Sequence, residues 1–290
     1  MKAIITMILI FIGANAICQE RFHISQYMGN QEYYNPSVIG SYGELNLAVL
    51  YRNQWTGFDG SPNVGMVSVF SPINGGANSI GLNLIYDGIG YSRKSIINFN
   101  YAYRLRIDTR HQIAFGIGGG IKHFAQDITQ VEIADGDNYF IDNSVNRLSV
   151  DGSVGAYFFC EDYYVGLSGN SITETAHINL HGGYRIRLKE DFYLTPSTLL
   201  KYVSAAPLQM DINALLEYKM LGVGLSYRTS NDVVALVQLM ATNKLKIGYS
   251  YDFNLSAGQL REQLGGSHEF YLRYRFIDSG DLAKIRAPRF

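Results

Sequence analysis

The chain has 290 residues, of which 24 are basic and 25 are acidic. This balance excludes a charge-driven nucleic-acid-binding surface, which would need a basic stripe. The 22 Tyr, 15 Phe and 30 Gly favour an all-β protein, because aromatic residues suit half-buried strands and glycine suits turns and close backbone approach.

The first 18 residues predict a cleaved secretory signal peptide. A basic second residue precedes an apolar run over 3–12, which is shorter than the roughly 20 residues that a membrane helix needs. Ala16 and Cys18 then occupy the −3 and −1 positions of a cut before Gln19. Acylation of Cys18, as in a lipoprotein, is the alternative, and the bulky Ile17 before it disfavours this.

Residues 19–43 lack alternation and are predicted to form a periplasmic N-terminal lead-in or a plug. From residue 44 onward, apolar and polar residues alternate with a period of two, as in half-buried strands. In the first such segment Leu45, Leu47 and Val49 share one face, and Arg52 lies on the other. The predicted strands lie near 44–54, 62–72, 79–88, 94–106, 111–125, 146–160, 162–169, 175–188, 191–204, 208–219, 221–229, 232–240, 243–254 and 267–277.

The lengths and connections of these segments favour a transmembrane barrel over a soluble sandwich. The segments are long enough to cross a bilayer as tilted strands, their number is even, and aromatic residues gather at their ends. Even-to-odd links are short, whereas odd-to-even links include the two longest, near 126–145 and 255–266. Short periplasmic turns and longer external loops are typical of outer-membrane barrels. We therefore predict an all-β protein, a transmembrane antiparallel outer-membrane β-barrel of about 14 strands over 44–277, with 278–290 as a periplasmic tail.

No motif for catalysis, cofactor binding or metal binding stands out, and the sequence predicts a non-enzymatic protein without a cofactor. His177 and His181 share one face of a predicted strand, but Arg185 and Arg187 follow on that face and would oppose a metal ion. We therefore interpret both histidines as polar residues of the barrel interior.

An enzyme at the barrel rim is an alternative, because a lipid-modifying enzyme would need a Ser–His pair there. His123 and His268 lie near predicted external strand ends, and Ser267 precedes the second of them. The sequence does not fix the geometry of such a pair.

The inward face of the predicted barrel carries both signs of charge, including Arg52, Asp87 and Glu269. Unpaired charge is costly in a narrow interior, so we expect these side chains to form ion pairs. A barrel of about 14 strands is narrower than the 16- to 18-stranded porins. We therefore expect residues 19–43 or the 126–145 loop to close the interior, and an open solute channel is the alternative.

Seven stretches of the sequence form a recognisable set, which begins with "SQYMGNQEYYNPSVIGS" and "YRNQWTGFDGSP" and ends with "GGSHE". Together they resemble the PorP/SprF family of outer-membrane proteins attached to type IX secretion. The resemblance runs over nearly the whole mature chain, and the seven stretches together are specific. Ser37 and Ile39 stand where the family pattern has alanines, and Ala287 stands where a cysteine often occurs in the tail. The matching positions are Gln26, Tyr27, Asn35, Pro36 and Gly40 in "SQYMGNQEYYNPSVIGS", Arg52, Gln54, Trp55, Gly57, Gly60 and Pro62 in "YRNQWTGFDGSP", and the shorter stretches "YDGIG" (86–90), "YAY" (101–103), "YYVGLS" (163–168), "YSYD" (249–252) and "GGSHE" (265–269), which include Asp87, His268 and Glu269.

The resemblance implies a role rather than a reaction. Family members are outer-membrane partners of type IX substrates, especially adhesins with a type B C-terminal domain. The resemblance thus implies that this chain anchors the C-terminal domain of a secreted adhesin, in contact with other type IX secretion components and outer-membrane lipid. A core component of the translocon and motor is one alternative role, and a small-solute channel is another. The matching positions are the candidate partner-binding or structural residues.

The only tryptophan, Trp55, follows the first predicted strand and precedes a glycine-rich turn. By parity, Arg52 and Gln54 point towards the interior, and the turn lies outside the cell. An indole at the outer interface can bury its ring while its N–H stays in water. The surrounding motif exceeds what such an anchor needs, so a contact with a plug or a docking surface is the other interpretation.

Overall fold

A computed structural model describes residues 22–73, 76–127, 144–204, 206–255 and 265–276. The predicted signal peptide (1–18) and C-terminal tail (278–290) lie outside the described residues, as do 128–143 and 256–264 of the two longest links.

Within the described residues, fifteen β-strands form one antiparallel sheet. Neighbours in sequence are neighbours in the sheet, and the last strand pairs with the first, which closes the sheet into a barrel. The strands are β1 (Leu45–Asn53), β2 (Asn63–Ile73), β3 (Asn78–Ile89), β4 (Ser92–Arg106), β5 (Gln112–Gln126), β6 (Val145–Phe159), β7 (Tyr163–Asn170), β8 (His177–Tyr184), β9 (Ile186–Lys189), β10 (Phe192–Val203), β11 (Gln209–Tyr218), β12 (Leu221–Arg228), β13 (Asp232–Met240), β14 (Leu245–Asn254) and β15 (Ser267–Phe276).

Strands β8 and β9 are two halves of one strand of the barrel. Both pair with β10, and they are separated at Arg185, whose backbone N–H donates to the carbonyl of Asp162 (2.6 Å). The fifteen strands therefore occupy 14 positions around the barrel. The predicted antiparallel barrel of about 14 strands is confirmed, and the predicted strand 175–188 is interrupted once.

Alternation sorts side chains between the barrel exterior and its interior. On β4, Phe99 is 65% exposed and Ile97 is 47% exposed, whereas Asn100 and Ala102 are buried. The exterior is therefore rich in exposed apolar side chains, which suits contact with lipid. No helix among the described residues is long and apolar enough to cross a membrane.

The two ends of the barrel differ in their connections. At the turn end the links are short, for example 160–162 between β6 and β7 and 190–191 between β9 and β10. At the loop end lie the two longest links, 127–144 and 255–266. When β8 and β9 are counted as one strand, the short links follow even-numbered strands and the two longest links follow odd-numbered strands. From this asymmetry we expect the turn end to face the periplasm.

Residues 22–43, termed the lumenal segment, lie inside the barrel. They contain two 3-10 helices (Tyr27–Gly29 and Pro36–Ser41) on either side of a one-turn α-helix (Gln31–Tyr34). Every residue from 24 to 41 is buried. The segment occupies the interior of the barrel.

The lumenal segment runs from the loop end to the turn end. His23 contacts Lys201 near the loop end of β10 (Nδ1 to Nζ, 2.8 Å). Glu44, directly after the segment, lies 3.7 Å from Arg275 at the turn end of β15, and β1 starts there. The apolar core between the segment and the wall consists of Ile24, Tyr27, Met28, Tyr33, Tyr34, Leu50, Met66, Ile85, Ile96, Leu199, Leu215 and Leu236.

Candidate functional site

A buried ion-pair network binds the start of the lumenal segment near the loop end. Arg52 on β1 donates through Nη2 to Asp252 on β14 (2.7 Å) and through Nη1 to Glu269 on β15 (3.3 Å). The Ser25 hydroxyl accepts from Arg52 and donates to Asp252, both at 2.7 Å. Glu269 accepts the backbone N–H groups of Ser25 and Gln26, each at 2.8 Å. We term Ser25, Arg52, Asp252 and Glu269 the loop-end network.

Further charges continue the loop-end network around the wall. Arg228 lies 3.6 Å from Asp252 and donates through Nε to Asp211 (3.0 Å). Asp211 also accepts from Lys201 (3.1 Å), which in turn contacts His23. Each of these buried charges therefore contacts an opposite charge, which offsets the cost of removing it from water.

The turn between β1 and β2, residues 54–62, forms part of the rim at the loop end, and we term it the rim turn. The backbone N–H of Trp55 donates to Ser267 Oγ (3.3 Å), and that of Thr56 donates to the carbonyl of Gly266 (3.1 Å). Trp55 is half-buried and has a φ of 55°. This left-handed conformation is unusual for a bulky residue, so the two hydrogen bonds keep the turn in a strained form.

The rim turn is closed by its own residues and by the β3–β4 turn. The Gln54 N–H donates to the Pro62 carbonyl (2.8 Å), and the Gly90 N–H donates to the Gly60 carbonyl (2.9 Å). Gly60 has a φ of 77°, which glycine adopts without steric cost. Gly57 is exposed and lies against Gly265. The positive φ explains the glycine at position 60.

Replacing Trp55 tests the strain in the rim turn. Glycine tolerates a positive φ, whereas alanine keeps the steric cost of the left-handed region, on the order of 1 kcal/mol. Since both variants lose the ring, we expect Trp55→Gly to be the more stable of the two, with a free energy of unfolding about 1 kcal/mol higher than that of Trp55→Ala. Urea unfolding of the refolded barrels in detergent micelles measures the difference. Equal stabilities would show that the turn relaxes when the ring is removed.

Two other predicted site residues, Asp87 and His268, lie outside the loop-end network. Asp87 is half-buried on β3, opposite Lys94 of β4 in the strand register. His268 contacts the Tyr249 hydroxyl through Nδ1 (2.8 Å). His268 therefore belongs to an aromatic cluster on the barrel exterior, next to Tyr251.

Asn35 connects the middle of the lumenal segment to the barrel wall. Its Oδ1 accepts the Ser37 N–H (3.0 Å) and so caps the 3-10 helix Pro36–Ser41, which starts with proline at its first position. Its Nδ2 donates to the Ala156 carbonyl of β6 (3.1 Å) and contacts His181 Nε2 of β8 (3.2 Å). One side chain thus fixes both the local turn and its place in the barrel.

Three inward glycines leave room for this turn. They are Gly116 on β5, Gly155 on β6 and Gly166 on β7, and we term them the glycine cradle. A Cβ at Gly116 would overlap the backbone of Ser37, and a Cβ at Gly155 would overlap Asn35 Oδ1. A Cβ at Gly166 would lie 2.9 Å from Asn35 Nδ2. The wall is therefore shaped to accept the backbone of the lumenal segment.

A second polar cluster binds the lumenal segment closer to the turn end. Arg273 donates through Nη2 to Glu32 (2.6 Å) and to the Gly29 carbonyl (2.7 Å), and through Nε to the Tyr271 hydroxyl (2.6 Å). Its guanidinium also lies over the Tyr42 ring, 4.8 Å from the centroid.

His268 and His123, the histidines considered for a rim enzyme, have other partners than Ser267. Ser267 accepts from Trp55 on the inner side of β15, whereas the adjacent His268 points outward. His123 contacts Asn146 Oδ1 (2.7 Å). Ser267 and His268 therefore do not form a Ser–His pair. No group of three or more metal-ligating side chains occurs in the part of the chain that the structure describes.

Several residues of the site have only weak signals in the sequence. Ser25 and Glu32 lie in the non-alternating region, where no periodicity distinguishes wall contacts from exposed positions. The glycine cradle does have a signal, because β5 carries glycine at successive inward positions, including Gly116. Such glycines indicate a close backbone approach, but the pattern does not identify which segment approaches.

Several of the stretches that carry the family resemblance meet at the loop end or contact the lumenal segment. Arg52, Asp252 and Glu269 come from three of them and form the loop-end network. In "YYVGLS", Ser168 Oγ donates to the Tyr34 carbonyl (2.6 Å). Matching residues far apart in sequence therefore serve one shared arrangement.

Comparison with known proteins identifies the family and supports the barrel fold. The family model described as "Type IX secretion system membrane protein PorP/SprF" matches residues 17–274. No curated protein matches the chain. Among solved structures, the outer membrane protein Omp33 of Acinetobacter baumannii is similar with a TM-score of 0.52 and 10% identity, over 82% of this chain and 100% of that one. The CymD monoaromatic hydrocarbon channel has a TM-score of 0.52 and 10% identity, over 86% of this chain and 93% of that one. At these identities the likeness shows the barrel fold alone.

The family model covers well over half of the chain, which confirms the resemblance seen in the sequence. The closed barrel, its apolar exterior and the membrane family agree with the predicted location, so the protein is an integral β-barrel of the outer membrane. The chain belongs to the PorP/SprF family of type IX secretion system membrane proteins.

Proposed function

We propose that this barrel anchors an exported surface protein at its loop end, with the type B C-terminal domain of an adhesin as the part that it binds. The role is non-enzymatic binding, with no cofactor. The observation that supports this proposal is the occupied interior, because every residue of the lumenal segment from 24 to 41 is buried inside the barrel. A barrel closed in this way offers its rim, rather than a pore, as the functional surface.

The arrangement of the rim adds support. The rim turn contacts residues 265–267 and the β3–β4 turn, and Arg52 beneath it is bonded to Asp252 and Glu269. An aromatic anchor in lipid would need only the exposed ring. The cross-connected rim instead forms a fixed surface, which lowers the conformational cost of binding a partner.

Deletion of the gene tests the anchoring role. We expect one adhesin to remain in the periplasm or to appear in the medium, while other type IX substrates still reach the cell surface. Surface proteolysis of intact cells, followed by immunoblotting of each substrate, measures this. Loss of every substrate would instead indicate a core component of the secretion machinery. Unchanged display of all substrates would contradict both roles.

Conductance tests the competing role as a solute channel. We expect the purified barrel to give no steady conductance in planar bilayers, because the lumenal segment is bonded to the wall near both ends. A steady conductance in most insertions would indicate an open channel and would argue against a closed anchor.

A further inference from the structure

At the loop end, β6 extends beyond its neighbour β7. The ladder between β6 and β7 ends at Ser153↔Asn170, whereas the ladder between β5 and β6 continues to Gln126↔Val145. The loop after β7 adds two bonds to β6, from the Ile172 N–H to the Gly152 carbonyl (3.2 Å) and from Thr173 Oγ1 to the Val150 carbonyl (2.5 Å). The side chains of Glu174 and Ser149 are also hydrogen-bonded to each other. Beyond these contacts, no backbone group in the described ranges pairs with the β7 side of β6.

The backbone groups left on this side can be identified by parity. In an antiparallel ladder the N–H and C=O of one residue point to the same side, and successive residues point to opposite sides. Since the carbonyls of Gly152 and Val150 point towards β7, those of Leu148 and Asn146 do so as well. We term residues 145–149 of β6 the free edge.

The free edge lies beyond the part of the wall that the membrane covers. Strand β6 has 15 residues and is thus about 50 Å long, or roughly 35 to 40 Å tall at the usual strand tilt. The apolar band of such barrels is about 25 Å tall. The C-terminal end of β6 lies at the turn end of the barrel. The part of β6 that extends beyond the apolar band is therefore its N-terminal part, the free edge.

The side chains around the free edge are exposed and differ between its two faces. Leu148 is 69% exposed and Val150 is 65% exposed on the outer face. Arg147 is exposed on the opposite face, where Glu174 lies near enough to interact with its charge. An unpaired strand edge with exposed apolar side chains is a template for pairing with another chain. The arrangement fits an extended segment that places an apolar residue against Leu148.

A second copy of the barrel does not fit this edge. Two barrels in one membrane share the same orientation, so a two-fold axis would lie along the membrane normal. The tilted β6 strands of the two copies would then cross at roughly 70 to 90°, twice the tilt. No ladder forms at that angle, whereas a flexible segment of a different protein aligns freely.

We propose that the free edge binds an extended segment of the exported partner by strand addition. The segment donates to and accepts from the backbone of Asn146 and Leu148, and it covers the Leu148 side chain with an apolar residue. This inference rests on the proposed function for the identity of the partner. It adds the mode of binding, which is main-chain pairing rather than insertion into the pore.

Amide hydrogen exchange of the purified barrel tests whether the edge is free. We expect the amides of Asn146 and Leu148 to exchange at least about 100-fold faster than those of Arg147 and Ser149, which point towards β5. Equal protection of all four amides would mean that another part of this chain, or a second copy, already covers the edge. That result would overturn the inference without any variant.

A proline variant tests the edge in cells. Leu148→Pro removes the free N–H and leaves the ladder to β5 intact, whereas Leu148→Asn keeps the N–H and also loses the apolar side chain. We expect Leu148→Pro to reduce surface display of the adhesin that gene deletion identifies by at least about tenfold, and clearly more than Leu148→Asn does. Heat-modifiable mobility on gels shows that each barrel is folded.

The outcomes separate the two proposals. If deletion abolishes display and folded Leu148→Pro displays the adhesin normally, the anchoring role stands and strand addition at β6 is wrong. If deletion changes nothing, the anchoring role fails, and the inference fails with it.

Discussion

Arg52→Met is expected to lower the free energy of unfolding by about 3 to 5 kcal/mol, because it leaves buried carboxylates without a shared cation. Arg52 is 2% exposed and bonds Asp252, Glu269 and Ser25 at once. Methionine fills much of the volume of the arginine side chain, so the lost stability comes from the missing charge rather than from poorer packing. Urea unfolding of the refolded barrel, followed by heat-modifiable mobility, measures the change.

Two comparison variants make the Arg52 result specific. Arg106→Met removes an exposed arginine at the turn end, and we expect a change within about 0.5 kcal/mol. The double variant Arg52→Met, Glu269→Gln removes one charge of each sign from the network. We expect it to lose less than the sum of the single variants, because the two residues contact each other. If Arg52→Met lowered the free energy of unfolding no more than Arg106→Met does, the loop-end network would not stabilise the barrel.

Gly116→Val is expected to expel the lumenal segment from its position against the wall. The added Cβ would overlap the backbone of Ser37 and the carbonyl carbon of Pro36. The backbone of a short helix capped by Asn35 cannot move by a side-chain rotation, so the segment itself must shift. We expect steady conductance in planar bilayers and protease cleavage within residues 22–43, neither of which the unchanged barrel should show.

Strand β5 offers a matched control for this variant. Gly119 lies on the outer face three residues further along, and no atom lies within 4 Å of the position of an added Cβ. Valine suits strands, so Gly119→Val should fold and stay closed. If Gly116→Val also stayed closed and protease-resistant, the glycine cradle would not determine the position of the lumenal segment.

The barrel wall could be predicted from sequence because one physical rule governs all of it. A strand between lipid and a filled interior must alternate, and residues such as Ile97 and Phe99 repeat that rule throughout the wall. The alternation of short and long connections then predicts which end of the barrel each strand starts from. The sequence does not predict the interruption of the strand at Arg185, because the alternation continues through it. Only the hydrogen bond from the Arg185 backbone to Asp162 shows the interruption.

The interior could not be predicted to the same degree, because its order comes from contacts between distant residues. The helices of the lumenal segment are three to six residues long and carry no periodicity. Arg52 and Glu269 were predicted to point inward, but their binding of the Ser25 and Gln26 backbone depends on the path of the segment. The family resemblance marked many of these positions without showing what each one contacts.

The lumenal segment also bears on how the wall closes. The final seam joins β1 to β15, and the residues that bind the segment lie on that seam, with Glu269 bonded to the backbone of Ser25 and Gln26 and Arg273 bonded to Glu32. A slip of the last strand by two residues would keep every side chain on its proper face, since the period is two. It would, however, move both of these contacts out of reach. The chain's own N-terminal region thus acts as an internal template that fixes the register of its first and last strands.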